Sequence, residues 1–99
     1  MTALPPFADF SRQLNTPFSV HTAHGLVEMQ LVEAKELTPG QPEHARTPFS
    51  LLFVNHSQPN MVLSQGTYRL DHPALGSLSL FVAPVLSDRP SPDYQVIIN

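Results

Sequence analysis

From Phe18 onward the chain alternates short apolar runs with clusters of Asn, Pro, Gly and Ser, the punctuation of antiparallel strands. Phe18, Val20 and Thr22 alternate with Ser19, His21 and Ala23, and His24-Gly25 offers a turn into Val27, Met29 and Leu31, which alternate with Glu28 and Gln30. This spacing predicts a β-hairpin of strands at about 18–24 and 26–35. Leu31-Val32 breaks the alternation, which marks a bulge or a strand end. Further strands are predicted at about 49–54, 66–72, 77–83 and 94–98. Between the second and third, Glu36 to Pro48 turns to Thr, Pro, Gly, Gln, Glu and His, the composition of a mobile surface loop.

Ahead of the strands, Pro5 and Pro6 suit the first turn of a helix, and Phe7, Phe10 and Leu14 share one helical face. A helix over about 5–14 follows, ended by Asn15, Thr16 and Pro17. At that length it is marginal alone and must owe its order to laying the phenylalanine face on something else. The pattern therefore predicts one domain spanning 1–99, mainly β with one short N-terminal helix: a six-stranded antiparallel barrel or sandwich with the helix at an end or open face.

Three strands carry more apolar surface than one core can use. Phe49, Leu51 and Phe53 make one face of the third strand while Leu52 and Val54 occupy the other; Phe81 and Ile97 are the corresponding outer residues of the fifth and sixth. A strand apolar on both faces is normally covered on both. Leu52, Val54, Phe81 and Ile97 are thus expected to form an outer patch, packed either under the N-terminal helix or against another subunit. Complete burial of all four would contribute roughly 6 to 12 kcal/mol, comparable with the net stability of a domain.

Composition narrows the function classes. Charged residues are 13% of the 99, against 41% hydrophobic, so the surface is weakly solvated and inclined to associate. The net charge is −3, and the basic residues Arg12, Lys35, Arg46, Arg69 and Arg89 are scattered singly, which argues against nucleic acid as a ligand. With no cysteine, disulfides, thiolate metal sites and thiol nucleophiles are excluded. The Met1 to Pro6 start has no basic region followed by an apolar stretch, and no run reaches membrane-helix length, which predicts a cytoplasmic product without membrane insertion.

No catalytic constellation emerges. His21 and His24 are three apart on a strand and its end and should leave opposite faces; His44 and His56 fall in separate loops, so neither a metal nor another cofactor is expected. Asp71-His72 with Ser64 or Ser77 lacks the strand-turn-helix elbow of a hydrolase, and neighbours on a strand point oppositely, so turn formation before Pro73 is the expected use. Asp88 and Asp93, in a proline-rich stretch, are expected to be solvated. Gln65, Tyr68 and Arg69 around Gly66 form a candidate rim cluster, since a bend there would re-aim side chains at a barrel mouth.

The segments FSLLF at 49–53, LSQGTY at 63–68, LDHPALG at 70–76 and LFVAP at 80–84, with a closing YQVIIN, resemble a family of small bacterial domains of unknown function. The likeness lies mainly in residues 49–99. It implies an accessory role beside phage-tail-collar-type proteins, and it carries over no catalytic residue. Together the readings point to a non-enzymatic structural or protein-binding module that engages a partner or itself as a homo-oligomer. The rival expectation is a small-ligand binder using its barrel mouth through Gln65, Tyr68 and Arg69.

Overall fold

The alternating segments become six strands in the computed structural model, which describes residues 4–37, 48–58, 60–89 and 91–98. They are β1 (Pro17–Thr22), β2 (Gly25–Glu36), β3 (Phe49–Val54), β4 (Gly66–His72), β5 (Gly76–Val85) and β6 (Asp93–Ile98), preceded by α1 (Phe7–Ser11). All neighbouring strands are antiparallel. The order β1-β2-β3-β6-β5-β4 closes on itself, so the choice between barrel and sandwich falls to the barrel. Of the loop expected between Glu36 and Pro48, including His44, residues 38–47 lie outside the described residues.

Closure rests on two short ladders. β1 meets β4 only over Ser19–His21 and Arg69–Asp71, and β5 meets β6 only over Ala83–Val85 and Asp93–Gln95. The longer ladders carry five to seven registered pairs each, from β3–β6 with five to β4–β5 with seven. In β2–β3 the pairing steps from Leu31 opposite Phe53 to Glu33 opposite Leu52, so Val32 is the extra residue of a bulge, where the alternation breaks. That extra residue returns Ala34, opposite Leu51, to the inner face.

Inside, the period-2 pattern delivers Phe18 and Val20, then Val27, Met29 and Leu31, then Phe49, Leu51 and Phe53, and finally Tyr94, Val96 and Ile98, all buried in one cluster. Phe18 and Phe53 meet edge-on with ring centroids 5.1 Å apart. The Tyr94 hydroxyl, fully buried, accepts the Leu63 backbone N–H at 2.9 Å and so ties the segment before β4 across the core. Its polar tip has the partner that burial demands.

The helix is shorter than the expected 5–14. Beyond Ser11 the bonds shorten to i→i−3, Gln13 N–H to Phe10 O and Leu14 N–H to Ser11 O, and Asn15 reverses the chain at φ 67°. Asparagine tolerates that left-handed conformation at small cost. Phe10 is fully buried and packs on Phe49 at 5.7 Å, with Phe7 edge-on to the same ring at 5.5 Å. The helix therefore plugs the core at Phe49 with its aromatic face.

Candidate functional site

The four residues of the expected outer patch have separate fates. Val54 is 2% exposed and Leu52 half-buried within one chain, which removes Val54 from any open surface. The alternation assigned it correctly to the outer face, opposite Gln30 of β2, but could not show that this stretch of the wall is covered. Phe81 and Ile97 stay 55% and 52% exposed. Each lies two residues beyond the last β5–β6 pair, Ala83 opposite Gln95, with Phe81 registered against Thr67 of β4 and Ile97 against Ser50 of β3. Half-buried Ala83 and Leu52 lie on the same face, on either side of Gln95.

The expected rim cluster does not converge. Tyr68 leans on the core and its hydroxyl donates to the Ser64 carbonyl at 2.7 Å, while Gln65 is exposed and Arg69 leaves the opposite face of β4. Of the three, only Tyr68 lines the shallow pocket of about 220 Å³ beside the β1–β2 turn, with Thr22, His24, Val62 and Ser64 among its neighbours. A second depression, about 360 Å³, lies between the outer faces of β1 and β2 and the turn after β3, lined by Pro17, Glu28, Gln30, His56 and Ser57. Buried Asn55 organises that turn: its side-chain amide donates to the Gln58 carbonyl and its side-chain oxygen accepts the Gln58 N–H.

Arg69 instead belongs to a polar network on the outer wall. His21 Nε2 meets Asp71 Oδ2 at 2.6 Å; Asp71 Oδ1 accepts from Ser77 Oγ at 2.7 Å and from Arg69 Nε at 3.1 Å. A carboxylate only accepts, so Nε2 carries the imidazole proton. The bonds from His21, then Ser77, then Arg69 hold the Asp71 carboxyl well below the usual carboxylate range. His21 and Asp71 are 50 residues apart, and only the β1–β4 register brings them together. The one legible signal was that Ser19, His21, Arg69 and Asp71 all occupy polar positions of alternating strands.

The chemistry of this network is structural. In a nucleophilic triad the imidazole stands between hydroxyl and carboxylate; here the carboxylate stands between imidazole and hydroxyl, so no base draws the Ser77 proton. What the network does is bridge β1, β4 and β5 where the barrel closes on three registered pairs. A second ion pair closes the connection between β5 and β6: Arg89 Nη2 reaches both oxygens of Asp93 at 3.0 and 3.1 Å. Asp93 is buried, a correction to its expected solvation.

His72, expected in a turn, is also buried, and both ring nitrogens are engaged. Nδ1 accepts the Ala74 N–H at 3.0 Å, which is the expected turn-forming use, and Nε2 lies 2.9 Å from Thr16 Oγ1. Desolvation lowers its pKa below that of an ordinary histidine. Among the described residues no group of three or more His, Asp or Glu side chains is placed to hold a metal ion, and no helix is long and apolar enough to cross a membrane.

No curated protein and no solved structure matches the chain. A family described as a domain of unknown function, DUF6916, matches residues 5–98. Since that match takes in both α1 and all six strands, the chain belongs to this family.

Proposed function

We infer that the protein is a non-catalytic interaction module whose contact surface is the outer wall around Phe81 and Ile97. The observation that carries this reading is the division of apolar side chains: those facing inward fill the barrel, while Phe81 and Ile97 stay more than half exposed on one face. A filled interior speaks against the rival in which a small ligand enters the mouth. The failure of Gln65, Tyr68 and Arg69 to converge weakens it further.

Magnitude sets the kind of association. Burying the exposed halves of two such side chains stabilises a complex by roughly 1.5 to 3 kcal/mol. Two half-exposed side chains fall well short of the ~800 Å² per partner of a standard interface, so the wall must recruit its neighbours, Leu52, Ala83, Gln95 and Thr67. This fits reversible contact with a protein partner or a second copy better than an obligate dimer. An accessory role beside a bacterial tail-collar-type protein is the finer form of the reading, and it rests on the motif resemblance alone.

Sedimentation velocity across a micromolar concentration range tests self-association. A second species should appear with concentration and vanish in Phe81→Asp while the far-ultraviolet spectrum is unchanged. A heterologous partner, bound by wild type and lost in the same variant, is the other supporting result. A monomer that binds a metabolite in its interior and no protein would overturn the reading.

A further inference from the structure

Where β5 and β6 part, the barrel keeps an open seam. Their registered pairing ends at Ala83 opposite Gln95; from Val82 back to Gly76, β5 pairs only with β4, and from Val96 out to Ile98, β6 pairs only with β3. Pro84 fixes which backbone groups face that seam. It has no N–H to give, so Pro84 opposite Tyr94 is a non-hydrogen-bonded pair, and Ala83 and Val85 are the residues that bond across to β6. Backbone groups along a strand point to alternate sides. Ser77, Ser79 and Phe81 therefore turn their N–H and C=O toward the seam, and Ile97 does so from β6. Among the described residues no registered partner meets them there, and all four side chains are exposed.

The other short ladder shows how this fold closes such a gap. β1 and β4 part beyond His21 opposite Arg69, and residues 62–64 of the same chain lie there beside Thr22 and Tyr68. Leu63 is buried in the core with its N–H bonded to Tyr94, and the Ser64 carbonyl accepts from the Tyr68 hydroxyl. The β5–β6 seam has no counterpart: among the described residues, no loop backbone bonds to Ser77, Ser79, Phe81 or Ile97. What it offers is a row of strand donors and acceptors flanked by the exposed side chains of Phe81 and Ile97. Its other outward positions, Ser77, Ser79, Ala83 and Gln95, carry no charge. An unpaired edge of that kind is a template for a further strand.

We propose that the seam receives an extended, uncharged, apolar segment of a partner protein, which pairs as an added strand with β5 at Ser77, Ser79 and Phe81 and sets its outward side chains between Phe81 and Ile97. This rests on the reading of the Phe81 wall as a contact surface and adds the chemistry of what that wall binds. Antiparallel pairing with β5 satisfies the backbone groups of Ser77, Ser79 and Phe81, against those of Ile97 alone on β6, so β5 sets the direction of the added strand. Main-chain bonds also supply the affinity that two half-exposed side chains lack. A second copy is the poorer occupant. The edge it brings is this same one, already tied into its own barrel through β4, whereas a free segment can lie along the seam.

Residue-resolved amide exchange of the full chain is the first readout. In the isolated protein Ser79, Phe81 and Ile97 should exchange at close to intrinsic rates, while Leu80 and Val96, which bond to β4 and β3, should be protected. Photo-crosslinking from position 81 in cells of the native host identifies the bound segment. A synthetic peptide of that segment should then slow the Ser79, Phe81 and Ile97 amides by about tenfold or more at saturation. Ser79→Pro removes a seam-facing N–H and none that bonds to β4, so it should abolish the adduct, and Ser79→Ala should keep it. If Ser79→Pro does not fold, the effect of the peptide on the three amides decides alone. Slow exchange of those amides in the isolated protein, or an adduct to a second copy of this chain, would overturn the strand addition. So would binding that Phe81→Asp abolishes while Ser79→Pro and the three amides are unaffected; that result leaves the Phe81 wall standing as a side-chain contact surface. No protein adduct at all would remove both.

Discussion

Two stretches of the barrel's outer wall make a controlled comparison, because they stand on the same core. Across β1, β4 and β5 the outward positions are His21, Arg69, Asp71 and Ser77, bonded to one another around a single carboxylate. Across β3, β6 and β5 they are Leu52, Ile97, Phe81 and Ala83, with Gln95 among them. The first wall satisfies itself in water. The second leaves apolar area that water does not reward, and its stability gains nothing from that area until something covers it.

Removing the shared core should damage both walls together and give the largest loss. Phe53→Ala empties a fully buried ring site against Phe18 and should cost about 3 to 5 kcal/mol in urea unfolding. Next is Tyr94→Phe, which keeps the packing but strands the Leu63 N–H; about 1 to 3 kcal/mol is expected in the same assay.

The polar wall alone is broken by Asp71→Asn, with a smaller loss that has a pH signature. A carboxyl whose folded pKa is depressed adds stability above its unfolded value, and that contribution disappears on acidification through the folded one. The gap between wild type and Asp71→Asn should therefore be full at neutral pH and begin to close near about pH 4. Urea midpoints measured at several pH values check this; a gap independent of pH would mean that the network does not stabilise the ionised form. His72 acts in a higher window. Its folded pKa is also lowered, so its contribution is complete above the ordinary histidine value, near about 6.5, and falls as pH drops below it.

Least affected in stability should be Phe81→Asp, within about 0.5 kcal/mol of wild type, because the ring is already half in water. Association, not folding, is where this variant should fail. A destabilisation as large as that of Tyr94→Phe would place Phe81 with the core and erase the difference between the walls.

What could be read from sequence follows the range of each interaction. Strand alternation is local, so the inward faces and the break at Leu31-Val32 were legible from neighbours alone, while the choice of a bulge over a strand end came from the register with β3. Closure was not, because it depends on three residues of β1 finding three of β4. The His21–Asp71 bond inherits that blindness, and so does the burial of His72, whose place before Pro73 reads as a solvated turn until Phe18 and Thr16 are brought to it. The grouping of Arg69 with Tyr68 had a different fault. Alternation already puts them on opposite faces of β4, and the bend at Gly66 could not reunite them. Val54 shows the remaining limit, since a face can be assigned by parity but its cover cannot.

Site-specific photo-crosslinking in cells of the native host tests the central contrast most directly. A benzophenone amino acid placed at Phe81 or Ile97 should give a discrete protein adduct, whereas the same probe at His21 or Ser77 should give none. Adducts from both walls alike, or from neither, would contradict the assignment of the Phe81 wall as the contact surface.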